Sequence, residues 1–422
     1  MRWPERRLGR VTRLRVSNVD KLSRDDGTPV RLCNYVDVYK NEAITNDLDF
    51  MQATATPAQI ASFRLSVGDT IFTKDSETAD DIGVPTYVAE TSDDLICGYH
   101  LAIATPDRTK VDPRFLFWAM SSGRVRDQWT VLASGVTRVG LRSDDLGKAG
   151  IPVPPLDEQR RIADFLDTET ARIDQLVAAR EQQQPLLEER WRAEIRNELE
   201  GRGEGRTPSH VPWLARHPAS WRPIRLRHLA HIQRGASPRP IDDPIYFDEA
   251  GTHAWVRISD VSASGKFLRR TDQTLSSLGK SRSVALKPGE LFVSIAASVG
   301  KPVIAAIDCC IHDGFVAIRR PRASVDFLYY VLQLGDCFDG LGKLGTQLNL
   351  NSDTIGSLMM ALPPEREQVE IAHRLDLARE SLTRISASIE RQVGILQERR
   401  RALITAAVTG QLDVTTARGG RS

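Results

Sequence analysis

The sequence predicts an α+β protein in which two globular domains alternate with two long helices, the helices pairing with each other, in a pseudo-twofold internal repeat. Three observations predict it. Residues 153–167, VPPLDEQRRIADFLD, are written again at 362–376 as LPPEREQVEIAHRLD; each copy follows short β-type runs; and each copy opens a long heptad-spaced pattern.

The repeat extends well beyond the motif. A shift of 209 residues places Leu141, Ser143, Asp144 and Leu146 on Leu350, Ser352, Asp353 and Ile355. It also places Pro155, Glu158, Gln159, Ile162, Ala163, Leu166 and Asp167 on Pro364, Glu367, Gln368, Ile371, Ala372, Leu375 and Asp376. Upstream, DPRFLFW (112–118) answers VDFLYY (325–330), LAIATP answers VAIRRP, and VGDTIFT answers PGELFVS, with small changes of offset where loops differ. Trp3, Leu8 and Val11 have the spacing of Trp221, Leu226 and Leu229, so the whole chain reads as two copies of one unit.

Within each unit the first part carries β-type runs (DTIFT, LAIAT; ELFVSIA, VIAAI, FVAIR) broken by Gly, Pro, Asp and Asn. That describes an α+β or mostly β globule. After each Pro-Pro the pattern turns helical, with Asp157, Glu158, Glu365 and Glu367 in the first turn, where the helix dipole favours acids. The seam runs Ile162, Leu166, Glu169, Ile173, Leu176, Arg180, Leu187, Trp191, Ile195 in the first copy. In the second it runs Ile371, Leu375, Ala378, Leu382, Ile385, Ile389, Leu396, Leu403, with steps of four and three that suit helix pairing. Each helix would reach about 66 Å if unbroken. Pro185 interrupts the first, at about 3 kcal/mol in an uncompensated interior, and Gly394 stands at the same level of the second, so both helices are candidates for a bend there. The expected boundaries are a first globule at 1–153, helix at 154–200, flexible linker at 201–212, second globule at 213–362, helix at 363–412 and flexible tail at 413–422.

Composition limits the function classes. The chain has 422 residues with ordinary apolar and charged fractions, a length suited to two or three domains. The N-terminus lacks an apolar export segment and no stretch of about eighteen apolar residues occurs, which reads as cytoplasmic and not membrane-bound. The five cysteines, Cys33, Cys97, Cys309, Cys310 and Cys337, are scattered, include no C-x-x-C pair, and are expected as buried reduced thiols. A net charge of +2 excludes a uniformly basic surface, so any nucleic-acid binding must come from local patches.

Catalytic signatures are missing. GKS at 279–281 lacks the upstream glycine of a phosphate loop, no dinucleotide-type glycine cluster follows a strand, and Val153 and Leu362 precede Pro-Pro where an amino-methyltransferase motif needs Asn or Asp. None of the ten lysines has an acid two positions before it, as metal-dependent nucleases of the common type require. No histidine pair has metal-ligand spacing, His228 and His231 read as packing or surface residues, and DSETADD (75–81) lacks EF-hand spacing. The chain is expected to be non-catalytic, with no metal.

Two variable globules, each followed by Pro-Pro-x-x-Glu-Gln and a long heptad helix, with ALITAAVTGQLDV (402–414) closing the second, resemble the specificity subunit of a type I restriction-modification system. The resemblance covers essentially the whole chain. It implies that each globule is a target recognition domain reading one half of a split double-stranded DNA site. It further implies that the helices pair as an antiparallel coiled coil that sets the half-site spacing and docks two methylation subunits. Those subunits would hold S-adenosylmethionine and methylate adenine; restriction subunits with ATP and Mg2+ would join them; this chain would bind no cofactor.

The family hands over no base-contacting residues, so candidates come from chemistry: Arg, Lys, Asn, Gln, Ser and Thr on loops read base edges, with aromatics in support. In the first globule these are Asn34, Tyr35, Lys40, Asn41, Lys74, Ser76, Thr137 and Arg138, from the strand-following FTKDSE and the polar loop SGVTRVG. In the second they are Arg234, Ser237, Arg239, Arg257, Ser298, Lys301, Gln347 and Asn349, from QRGASPRP and from GTQLNL, which takes the place of GVTRVG. Trp255 is expected mainly to pack in the core. Two rival readings are a coiled-coil scaffold that never touches DNA, which leaves the matched polar loops unexplained, and a self-sufficient nuclease or methyltransferase, which the missing signatures oppose.

Overall fold

Why each Pro-Pro pair marks a joint follows from how each globule closes. In the computed structural model, which describes residues 3–23, 25, 27–135, 138–202, 205–296, 299–339, 341 and 350–416, the strand that opens each lobe pairs with the strand that leads into Pro-Pro. Glu5–Arg7 pairs antiparallel with Gly150–Pro152, and Arg222–Arg225 pairs antiparallel with Met359–Leu362. The ends of each lobe therefore meet at the point where its helix departs.

The chain divides into two compact units, Met1–Glu181 with Glu390–Ser422, and Gln182–Ile389. In the first, a five-stranded sheet has the order Thr12–Val16, Leu101–Pro106, Thr70–Thr73, Pro85–Val88, Ala43–Ile44. In the second, the order is His231–Arg234, Phe315–Arg319, Leu291–Ser294, Pro302–Ala305, Phe267–Leu268. In both, all neighbours are antiparallel except the last pair, which is parallel. The central strands TIFT and LFVS are buried throughout, which is why they read as apolar runs and not as alternating patterns.

A smaller sheet packs in each lobe. The first has Met51–Ala55, Thr28–Cys33 and Leu95–Cys97; the second has Gln273–Leu275, His253–Val256, Cys309–Ile311 and Val284–Leu286. The five cysteines are all free and buried, four of them on these strands. Burial pushes the Cys310 thiol up to about 11, so it stays a neutral packing group.

At the joint, the motif's glutamines carry the load. Gln159 is fully buried: its Oε1 accepts from the backbone N–H of Asp112 at 2.7 Å and its Nε2 donates to the carbonyls of Pro154 at 2.8 Å and Lys110 at 3.0 Å. Gln368 repeats this, accepting from Ser324 N–H at 2.8 Å and donating to Pro363 O at 2.9 Å. Asp112 and Ser324 are the N-caps of helices Pro113–Ser121 and Val325–Leu334, so each glutamine ties a lobe helix to the first turn of a long helix. About two turns later, Asp167 accepts from Trp118 Nε1 at 2.7 Å, and Asp376 accepts from the Tyr330 hydroxyl.

The first long helix breaks once, at Gln182, into Leu156–Glu181 and Gln183–Leu199. Pro185 then falls in the first turn of the second piece, where its missing N–H has no intrahelical partner to lose. The second long helix, Glu365–Thr409, runs for 45 residues and continues through Gly394, so no break accompanies that glycine. Ile162, Leu166 and Ile173 are buried in the first unit, and Ile371, Leu375, Leu382 and Ile389 in the second; Leu187 and Leu396 are half-buried. Leu176 and Ile385 depart from the expected seam at 47% and 41% exposed.

Helix contacts occur within each unit. In the second, Arg374 holds the buried Glu198 at 2.8 Å, Arg379 lies 3.2 Å from Glu188, and Ser386 donates to Gln184 at 3.0 Å, so one helix number rises as the other falls. In the first, Arg400 lies 2.9 Å from Asp174, and Ile404, Ala407 and Val408 pack with Ile162, Ala163 and Leu166.

Two segments expected to be flexible are partly folded. Arg206–Pro208 pairs with Arg216–Pro218, and Val211 is buried in the second core. Val414 is likewise buried in the first core, because apolar side chains there find lobe surface to cover. No helix among the described residues is long and apolar enough to cross a membrane.

Replacing Gln159 with Leu keeps the volume but leaves a buried N–H and two carbonyls unpaired, at about 1–3 kcal/mol for each buried group stranded. Gln159→Leu is expected to lower unfolding stability by about 3 kcal/mol or more in urea, while the exposed Arg160→Ala stays within about 0.5 kcal/mol; equal effects would contradict the joint.

Candidate nucleic-acid interface

In both lobes a central strand of the smaller sheet runs into a short helix across a residue whose backbone N–H is held by the helix's own acid. Asn34 N–H donates to Asp37 at 2.7 Å before Tyr35–Lys40, and Arg257 N–H donates to Asp260 at 2.8 Å before Ile258–Ala263. Asn34 and Arg257 thus occupy equivalent positions, one buried and one exposed.

Around Asn34 the first lobe gathers loops from distant parts of the chain. The Tyr35 ring stacks on Tyr39 at 5.7 Å, and its hydroxyl lies 3.5 Å from Ser76 Oγ. Ser76 donates to Asp81 at 3.3 Å, and Tyr39 donates to the same carboxylate at 3.0 Å, which pushes the Tyr39 phenol up. The Lys74 ammonium lies 2.6 Å from Asp75, whose other contact is His100 Nδ1 at 2.6 Å; His100 Nε2 in turn meets Arg138 at 3.0 Å. The strand Asp75–Ser76 pairs with Val139–Gly140, which is what brings Arg138 beside Lys74.

In the second lobe one carboxylate does the gathering. Asp313 accepts from the Ser237 hydroxyl and from Arg239 at 3.1 Å, and its carbonyl accepts from Arg234 Nε at 3.0 Å. The Ser237 hydrogen bond, with Arg239 beside it, holds the Asp313 carboxyl below the usual carboxylate range. Next to it, Trp255, His312, Phe247, Gln273 and Arg257 line a cleft of about 650 Å³. Trp255 is buried against Leu275 and Cys310, as its core role predicted, and also lines this cleft. Burial pushes His312 below its ordinary pKa, and its Nδ1 accepts from Gly314 N–H at 2.9 Å.

The structure thus brings together Tyr35, Lys74, Ser76 and Arg138 in one lobe and Arg234, Ser237 and Arg239 in the other, with Arg257 on the neighbouring cleft. It sets three others apart. Lys40 is exposed at the far end of its short helix, and Asn41 closes that helix, donating to Asp37 O at 2.8 Å. The Lys301 ammonium donates to Ser262 O at 2.9 Å, and burial lowers its pKa. Thr137, Ser298, Gln347 and Asn349 lie outside the described residues. Sequence reasoning missed Asp75, His100, Asp313 and His312; only the Asp-Gly pair at 313–314 carried a turn signal. Among the described residues no group of three or more His, Cys, Asp or Glu could hold a metal ion.

A family model described as the type I restriction modification DNA specificity domain matches residues 24–183 and 218–393, one match for each lobe with the start of its helix. The chain belongs to this family. It is a specificity subunit of a type I restriction-modification system, and its two family domains account for the paired sheets and doubled joints. Among curated relatives, a protein of Methanocaldococcus jannaschii described as the specificity subunit of the type I restriction enzyme MjaX is 22% identical over 362 residues, covering 85% of this chain and 81% of that one. Among solved structures, one from work on complex assembly and conformational transition of the type I restriction-modification system is similar with a TM-score of 0.74 and 21% identity, covering 97% of this chain and 98% of that one. The HsdS subunit from Thermoanaerobacter tengcongensis is similar with a TM-score of 0.55 and 20% identity, covering 97% of each chain. These likenesses support the specificity-subunit fold over the full length.

A depressed acid contributes stability that is fully present above its unfolded pKa and is lost as pH falls through the folded one. The Asp313 contacts to Ser237 and Arg239 are therefore expected to persist at pH 5 and to be lost only below about 4; an NMR titration placing the Asp313 midpoint above the ordinary carboxylate value would contradict this.

Proposed function

We propose that each lobe of this chain reads one half of a bipartite double-stranded DNA site, and that the long helices pair as an antiparallel coiled coil that sets the half-site spacing. The helices also dock two methylation subunits, and restriction subunits join that core. S-adenosylmethionine, ATP and Mg2+ belong to those partners, and this chain directs adenine methylation and restriction without catalysing either.

One observation carries the reading. Both lobes build the same strand, cap and helix edge, and both gather cations around an acid nearby, Arg138 through His100 on Asp75 and Arg239 directly on Asp313, yet the side chains at equivalent points differ. Asn34 stands where the other lobe has Arg257. His100, whose carbonyl accepts from Lys74 N–H, stands where the other has Gly314, whose carbonyl accepts from Ile295 N–H. A common scaffold with different reading groups suits a split site whose halves differ in sequence. Arginine is the apt reader, because its fork matches guanine O6 and N7 where an ammonium makes only a point contact. Other exposed cations beside these loops then supply phosphate contacts that position and do not specify.

Mapping methylated adenines across the genome with and without this chain tests the proposal. A bipartite motif should vanish on deletion. Arg138→Ala should relax or abolish specificity at one half of that motif, and Arg234→Ala at the other, each by about 1–3 kcal/mol of discrimination. No motif lost on deletion, or equal loss at both halves from either substitution, would overturn it.

A further inference from the structure

We propose that Asp75 and His100 are positioning residues that hold the Arg138 guanidinium for a two-pronged contact with one guanine in the half-site read by the first lobe. This rests on the half-site reading above and names the base class and the groups that aim its reader.

The direction of each hydrogen bond is fixed by chemistry. A guanidinium can only donate, so the His100 Nε2 that lies 3.0 Å from Arg138 Nη1 presents a lone pair. The imidazole proton is then on Nδ1, which lies 2.6 Å from Asp75 Oδ2 and donates to it. Asp75 sets the tautomer, and the tautomer sets where Arg138 can rest. Asp75 is itself fixed by the Lys74 ammonium, within 2.7 Å of one oxygen and 2.6 Å of the other.

The backbone is shaped around this relay. His100 adopts φ of +72°, a conformation uncommon outside glycine, and its carbonyl accepts from Lys74 N–H at 3.0 Å. The glycines of SGVTRVG are there for close approach. A Cβ on Gly140 would lie 2.5 Å from Asp75 Oδ1, and one on Gly135, at φ +143°, would lie 2.0 Å from the Arg138 carbonyl oxygen. Arg138 is exposed, and among the described residues its Nε and Nη2 have no protein partner. Two donors of a rigid fork therefore face outward beside the Tyr35, Lys74 and Ser76 loops, the arrangement that matches guanine O6 and N7 in the major groove. Gly314 holds the place of His100 in the second lobe, so this relay is peculiar to the first.

The test uses the full chain with its methylation partners and duplexes carrying the methylated motif, with 7-deazaguanine placed at each guanine of the first half-site in turn to remove the N7 acceptor. For the unaltered chain, one such duplex should bind roughly 5- to 100-fold more weakly than its parent. Arg138→Ala should abolish that difference. His100→Asn should shrink it several-fold, because asparagine tolerates a positive φ and its amide can still donate to Asp75, but its shorter side chain places no acceptor where His100 Nε2 meets Arg138. Binding to second-half-site variants, unchanged in both substitutions, reports that the chain is folded. A first half-site without guanine, a 7-deazaguanine effect that survives Arg138→Ala, or one left at full size by His100→Asn would overturn the proposal. In each of those cases the chain-dependent bipartite motif would still stand, whereas its absence would sink the half-site reading instead.

Discussion

The structure depends on two buried carboxamides. Gln159 and Gln368 each satisfy a cap N–H from a lobe helix and the carbonyl of the first proline of the pair, inside the first turn of a long helix. A carboxamide has a donor and an acceptor side, so only one orientation satisfies both, and an unpaired group there costs more than the bond gains. The consequence is angular: the direction in which each helix leaves its lobe is set by a buried polar contact and not by a flexible hinge. The Trp118–Asp167 and Tyr330–Asp376 bonds, about two turns on, fix that direction at a second point. Spacing of DNA half-sites by helices, as proposed, would be meaningless without such joints.

The reading ends follow the opposite logic. Their carboxylates gather cations, Asp75 holding Lys74 directly and Arg138 through His100, and Asp313 holding Arg239, and the loops that carry them differ between lobes in length and sequence. Rigid scaffolds with variable loops let one fold serve different half-sites. The acids do not neutralise the arginines into silence, because each arginine is engaged on one edge and keeps other donors outward. A net charge near neutrality fits such local pairing, in which cations meet DNA where carboxylates place them.

Much of the fold was legible in the sequence because it is local or periodic. The internal repeat, the β-type runs and the helix starts after Pro-Pro all rest on patterns a few residues wide, and the observed sheets and helices follow them. The break was legible only in part: Pro185 signalled it, but the helix stops at Gln182, since a proline is cheapest once it lies in a new first turn. Leu176 and Ile385 kept heptad spacing and lost burial, because spacing alone does not report what covers a helix face. The relay from Asp75 through His100 to Arg138 joins residues 25 and 38 positions apart, and no motif marks it. The arginines on Asp313 were found as candidates, but the acid that holds them was not, since turn acids are common in loops of every kind.

The central claim is that the two lobes read separately. Its most direct measurement is the methylated motif produced by a chimeric chain in which residues 213–362 are replaced by the matching segment of another family member. One half of the motif should change, while the other half and the spacing stay as they were. A motif changed in both halves, or in neither, would contradict the account.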